Sequence, residues 1–130
     1  QPSYTRFPYP KLLRSYPHQI RQVFWNLLIN AAQAMPGGGT LRVELRRNSS
    51  PPAISGGRIH GEISVIDSGT GIGEEELEKI FDPFFTTKER GTGLGLSIVH
   101  SIVEGYGGKV TVQTQPGQGT TFSVFLPLQP

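Results

Sequence analysis

The chain has 130 residues, a formal charge of +2, no cysteine and an ordinary apolar share of 35%, but 17 glycines and 11 prolines. That length suits one domain, burying roughly two thirds of the surface that its unfolded chain exposes. The missing cysteines exclude disulfides and thiolate metal sites, the scattered and nearly balanced charge argues against nucleic-acid binding, and no apolar run nears the ~20 residues of a membrane span.

Residues 1–17, with Pro2, Pro8, Pro10 and Pro17, read as an extended N-terminal arm or edge strand, and residues 18–130 as the domain proper. From Pro17 to Met35 the positions of Ile20, Val23, Phe24, Leu27, Leu28 and Ala31 follow the 3.6-residue spacing of a helix face. Trp25, Ile29 and Ala32 make a second apolar row, which predicts a helix buried between layers. The remaining row holds Gln22, Asn26, Asn30 and Gln33, a stripe of amides, and the run PGGG at 36–39 ends the helix. Two strands follow, read from the alternation of Leu41, Val43 and Leu45 and of Ile59, Gly61, Ile63 and Val65. Residues 74–80 suit a short helix with acids in its first turn, and Leu94 to Tyr106 a longer one closed by Gly107 and Gly108. Val110 and Val112, then Phe122, Val124 and Leu126, alternate on either side of a glycine turn. This order predicts an α/β (α+β) sandwich: a mixed, largely antiparallel sheet with helices packed on one face.

Glycines gather in three places: DSGTGIG at 67–73, GTGLG at 91–95 and GQGTT at 117–121. The second opens a helix, where free N–H groups at the positive end of the dipole make a seat for phosphate. Neither familiar glycine signature fits: the dinucleotide fingerprint needs a different spacing inside a βαβ unit, and GGKV at 107–110 lacks the hydroxyl and the following helix of a P-loop. Asp67, at a strand end before glycine, is either a turn former or an acceptor for an exocyclic amine on a ring that the glycines admit.

Taken together and in order, these segments resemble the nucleotide-binding domain of bacterial sensor histidine kinases, within the GHKL superfamily, over about residues 18–127. QVFWNLLINAAQAM looks like the family's N box, DSGTGIG its G1 box, IFDPFFTTK its F box, GTGLGLSIV its G2 box and GQGTTFSVFLP its G3 box. The short stretch between Phe85 and Gly91 is most similar to the nitrogen-sensor subgroup. The resemblance implies that ATP and Mg²⁺ are the cofactors. Asn30 would ligate the metal and serve catalysis together with Lys88, which would reach the γ-phosphate from the lid. Asn26 would lie against the phosphates, and Gly93, Leu94 and Gly95 would offer them backbone N–H groups. Asp67 would receive the adenine amine, with Gly71 and Ile72 beside the ring and Thr120 nearby. Gln33, Ala34, Gly69, Gly73, Thr87, Gly91 and Leu96 complete the implied ATP-binding set. Gln33 stands where many relatives carry a basic residue and Ala34 where many carry an aromatic one. Phe81, Phe84 and Phe85 read as core or lid anchors, and Glu74 to Glu76 as a solvated first turn.

Hydrolytic members of the superfamily carry a glutamate one turn before the metal-binding asparagine, as general base for water. Here that position is Asn26, whose amide can orient a phosphate but cannot take a proton, so a γ-phosphoryl group would survive until an imidazole arrived. None of the three histidines supplies that imidazole: HQIRQVF at 18–24 superficially resembles a phosphoacceptor motif but lacks its acid and runs straight into the N box, while His60 and His100 fall mid-strand and mid-helix. The expectation is a catalytic module without its substrate domain, a monomer in isolation, which serves a dimerisation and histidine phosphotransfer domain of the same protein and a downstream response regulator. Contact with nucleic acid or membrane is not expected of the fragment. The start at Gln1 and the want of a signal-peptide pattern fit a cytoplasmic part of a longer sensor, membrane-anchored or not. A GHKL ATPase acting as a conformational clamp and a noncatalytic nucleotide-binding module are the competing readings.

Overall fold

The computed structural model describes residues 17–48, 60–85 and 95–127. Helix α1 (Pro17–Gln33) leads to strands β1 (Leu41–Asn48) and β2 (His60–Asp67), a short helix α2 (Glu74–Leu77), helix α3 (Gly95–Gly105), and strands β3 (Lys109–Gln115) and β4 (Gly119–Pro127). The strands form one sheet in the order β1-β2-β4-β3. All three pairings are antiparallel, so among the described residues the sheet has no parallel component. The N-terminal arm lies outside the described residues.

Helices α1 and α3 pack against each other and on the same face of the sheet. Val23, Leu27 and Ala31 recur every four residues along α1, and Val99 and Val103 do so along α3. Both stripes therefore point the same way and meet the sheet residues that alternation brings to that face. The strand register supplies those partners: Val65 stands opposite Phe122, Ile63 opposite Val124 and Gly61 opposite Leu126. Leu27, Val65, Val99, Val103, Phe122 and Val124 are fully buried and make the centre of the core. From the turn after α2, Ile80 closes the core, and Phe81 sets its ring edge-on to Phe122 with centroids 6.4 Å apart. On the opposite face of the sheet the hydroxyls of Ser64 and Ser123 hydrogen-bond at 2.8 Å, which satisfies two buried polar groups.

The second apolar row of α1 is not buried as its pattern predicts: Trp25 is 62% exposed, and Ile29 and Ala32 also face outward. The helical layer is single, so α1 has the sheet beneath it and α3 on one flank, and none of the described elements covers its outer side. Leu41, Val43 and Leu45 are exposed for a related reason, since β1 is the edge strand furthest from α3. Helix α1 ends two residues early. The N–H of Ala34 is shared between the carbonyls of Asn30 and Ala31, and Met35 donates to Ala32, a tightening of the last turn before Pro36. No helix among the described residues is long and apolar enough to cross a membrane.

Candidate functional site

The C-terminal end of β2 and the start of β4 meet at the helical face of the sheet. Asp67 and Thr120 are direct cross-strand partners there, and Thr114 of β3 is the partner of Thr120 on its other side. Side chains of directly opposed residues share a face, so the three form one polar row across three strands. Asp67 and Thr120 are both 4% exposed. One oxygen of Asp67 accepts the N–H of Gly69 at 2.8 Å, the Asx-type turn that its sequence context suggests. The other oxygen has no partner among the described residues, yet no fully buried side-chain oxygen there is left unsatisfied. It therefore opens onto the surface, and a carboxylate so presented can only accept.

The loop after Asp67 is sewn to its neighbours on both sides. Thr70 N–H donates to the carbonyl of Ala34 at the end of α1, and the Thr70 carbonyl accepts from Gly117 N–H at 2.7 Å in the β3–β4 turn. Gly71 (φ +76°) and Gly119 (φ +99°) hold left-handed backbone, and a Cβ on either would overlap a backbone oxygen, that of Gln115 or of Asp67 respectively. Those two glycines let the loop close on the backbone of the hairpin and the hairpin on the backbone of Asp67. The N–H of Ile72 donates to Thr114 Oγ1 at 2.9 Å, while its side chain packs on the core. Gly73, in extended conformation, precedes α2, and Glu76 reaches back to accept its N–H at 3.3 Å. Glu76 is thus a half-buried cap for the loop, and only Glu74 and Glu75 are the solvated acids expected of that turn.

Asn26 and Asn30 stand on the flank of α1 that faces α3. Asn26 Nδ2 donates to the carbonyl of Gly95 in the first turn of α3 at 3.2 Å, and Gln19 two turns earlier accepts from the Tyr106 hydroxyl at 2.9 Å. Asn26 and Gln19 thus make a seam between the two helices, so that Asn26 is a packing group as well as a candidate ligand group. Asn30, half-buried, lies one turn closer to the Asp67 loop.

Asp67, Gly69, Gly71, Ile72, Gly73, Ala34, Thr120, Asn26, Asn30, Gly95 and the half-buried Leu96 are thus all within the described site or along its two helices. Gln33 is exposed at the last turn of α1 and makes no hydrogen bond to the cluster among the described residues. Thr87, Lys88, Gly91, Gly93 and Leu94 lie outside the described residues. Of the aromatic trio, Phe81 and Phe85 pack on the core, and Phe81 also stacks on His100, with ring centroids 5.3 Å apart. Phe84 does not: it is 74% exposed with φ +70°, and the turn that half-buries Phe81 and Phe85 points it outward. Thr114 was not singled out by the sequence, although counting outward from the Pro116–Gln118 turn pairs it with Thr120. An open concavity of about 550 Å³ beside α1 is lined among the described residues by Arg21, Gln22, Phe24, Trp25 and Asn26. Among the described residues it touches the cluster only through Asn26, and the hydrogen-bonding groups that could read a ring are at Asp67.

Residues 15–130 match the family described as Histidine kinase-, DNA gyrase B-, and HSP90-like ATPase. The chain is 43% identical over 116 residues to the sensor histidine kinase ZraS of Escherichia coli (strain K12), covering 89% of this chain and 23% of that protein. It is 40% identical over 113 residues to sporulation kinase E of Bacillus subtilis (strain 168), covering 87% of this chain and 14% of that one. The chain thus spans less than a quarter of the length of either relative. Among solved structures, the catalytic domain of histidine kinase ThkA in a nucleotide-free form aligns with TM-score 0.65 and 38% identity, over 87% of this chain and 68% of that one. The mycobacterial sensor histidine kinase MprB aligns with TM-score 0.66 and 34% identity, over 87% and 72%.

Proposed function

Since the chain belongs to the family of histidine kinase-, DNA gyrase B-, and HSP90-like ATPases, we propose that it is the ATP-binding catalytic domain of a sensor histidine kinase. It holds Mg²⁺-ATP so that the γ-phosphoryl group passes to a histidine on a separate dimerisation hairpin of the same full-length protein, and from there to a response regulator. The fragment works on the cytoplasmic side of its sensor and is a monomer by itself. The observation that carries this reading is the buried Asp67, with one oxygen held by Gly69 N–H and the other left without a partner among the described residues, in a loop that Thr70 N–H ties to the end of α1.

In this reading Asp67 accepts the 6-amino group of adenine, Thr120 lies beside it, and Gly71 and Ile72 line the ring. The phosphates run along α1 toward the first turn of α3, where Gly95 offers its N–H at the positive end of the helix dipole, and by their likeness to the G2 box Gly93 and Leu94 offer theirs to the same phosphates. Lys88 neutralises the γ-phosphate from the lid. No cluster of three or more carboxylates and histidines able to cage a metal exists among the described residues. Mg²⁺ in nucleotide sites needs none, because phosphates and waters fill most of its shell, and the amide oxygen of Asn30 suits that sparse protein share. When bound, the metal offsets charge on the transferring phosphoryl group. Asn26 spends its N–H on the Gly95 carbonyl and offers no basic atom, so water at the γ-phosphate lacks a proton acceptor on this side.

The test is a single-turnover incubation with Mg²⁺ and γ-labelled ATP, alone and with a separately made acceptor hairpin from a sensor kinase. Bound nucleotide, free phosphate and acid-labile protein label are followed together. The expected result is Mg²⁺-dependent binding, little free phosphate, and label that appears only on the hairpin. Rapid phosphate release without the hairpin would replace this reading by a clamp ATPase, and binding with neither release nor transfer by a noncatalytic module.

A further inference from the structure

Resting on the nucleotide-binding reading above, we infer that Thr114 is a positioning residue that sets the hydrogen-bond polarity of the base site, and through it the preference for a 6-amino over a 6-oxo purine. Three groups from two segments, the loop after β2 and the start of β4, converge on its hydroxyl. Ile72 N–H lies 2.9 Å from Thr114 Oγ1, the Gly119 carbonyl 3.1 Å and Thr120 Oγ1 2.8 Å. A hydroxyl has one hydrogen to give and two lone pairs to receive with. The Ile72 N–H can only donate and the Gly119 carbonyl can only accept. Thr114 therefore sends its hydrogen to Gly119 and one lone pair to Ile72, which leaves a single lone pair. Thr120 must be the donor in the bond between the two hydroxyls.

That donation spends the one hydrogen of Thr120, so its oxygen can offer nothing but lone pairs to a ligand. Thr120 stands directly across from Asp67 on the same face, and the open oxygen of Asp67 is an acceptor as well. Two acceptors and no side-chain donor then face the base from the strand ends. The amino group of adenine brings two hydrogens to such a wall. The carbonyl of a 6-oxo purine brings two lone pairs and is turned away. Without the Thr114 hydroxyl, Thr120 regains the freedom to rotate its hydrogen outward and satisfy that carbonyl.

The decisive measurement compares Kd for Mg²⁺-ATP and Mg²⁺-ITP, nucleotides that differ at the 6-position, for the wild-type chain, Thr114→Val and Thr114→Ser. Thr114→Val keeps the volume and removes the hydroxyl. It is expected to lower the ITP-to-ATP ratio of Kd values about tenfold, from a weaker ATP complex and a stronger ITP complex. Thr114→Ser restores the hydroxyl and should keep the ratio within about twofold of wild type. A merely structural role for Thr114 would weaken both nucleotides alike and leave the ratio unmoved, which would overturn the inference; so would equal collapse of the ratio in the valine and serine variants. Should Thr114→Val fail to fold, Thr120→Val with Thr114 intact carries the test. Removing that acceptor must weaken ATP more than ITP, and an equal loss or an ITP-selective loss refutes the assignment. A wild-type chain that binds ATP without preferring it over ITP also overturns it, whereas a wild-type chain that binds neither nucleotide defeats the nucleotide-binding reading itself.

Discussion

Replacing Asp67 by asparagine separates what that residue does for the fold from what it does for a ligand. The carboxylate makes one bond inside the protein, at 2.8 Å from Gly69 N–H, and holds its other oxygen at the surface opening. An asparagine can keep the first bond with its amide oxygen. The loss there is the difference between a charged and a neutral acceptor, about 1 kcal/mol, or a fall in melting temperature of roughly 3–5 °C for a domain of this size. The ligand side fares worse, because the amide nitrogen now turns its hydrogens toward the hydrogens of the adenine amine. A charge-assisted hydrogen bond contributes ~1.5–3 kcal/mol, so its loss alone weakens binding ~10- to 150-fold, and donor against donor sets the result near the upper end. Titration calorimetry with Mg²⁺-ATP, paired with thermal melting in its absence, reads both quantities. Asp67→Asn should melt near the wild type and bind ATP ~100-fold more weakly. Affinity within threefold of wild type would refute the placement of the base at Asp67, and a collapsed melt would make the residue a structural one.

The other substitutions probe the frame around that site. Gly119→Ala forces a Cβ onto left-handed backbone and into the Asp67 carbonyl, and should cost about 2–4 kcal/mol by urea unfolding; a loss under about 0.5 kcal/mol would show that the hairpin gives way easily. Leu27→Ala empties a fully buried position between α1, α3 and the sheet, for about 3 kcal/mol on the same assay, and a loss below about 1 kcal/mol would mean that the core collapses around the void. Asn26→Glu removes the donor to the Gly95 carbonyl, about 1 kcal/mol of stability, while it restores a general base one turn before Asn30. Phosphate release from Mg²⁺-ATP should rise in that variant, and a folded variant with no rise would sink the argument that the amide protects the phosphoryl group.

Much of this molecule was legible in one dimension. The stripe Val23–Leu27–Ala31, the helix after Leu94, the alternation of β2 and β4, and the placing of Asp67 at a strand end before glycines all follow from short-range periodicity and turn chemistry. So does the pairing of Asn26 with Asn30 on one flank, since a helix repeats its direction every turn whatever surrounds it. What only the tertiary structure decided is which of these features has neighbours. Trp25 and Ile29 form as good an apolar row as the one that is buried, but burial depends on elements distant in sequence, and a single helical layer leaves the outer row of α1 to solvent. Phe84 faces out between the partly buried Phe81 and Phe85 because its backbone takes a left-handed turn that no composition rule announces. Asn26 reads as a ligand group in the sequence and is also a clasp to Gly95, 69 residues away. Thr114 is the clearest instance. A lone threonine in an alternating strand says nothing until a loop amide from Ile72 and the carbonyl and hydroxyl of Gly119 and Thr120 meet at it, and only that convergence determines which oxygen donates. Periodicity is a local property of the chain, while a hydrogen bond's direction belongs to the groups that long-range packing brings together.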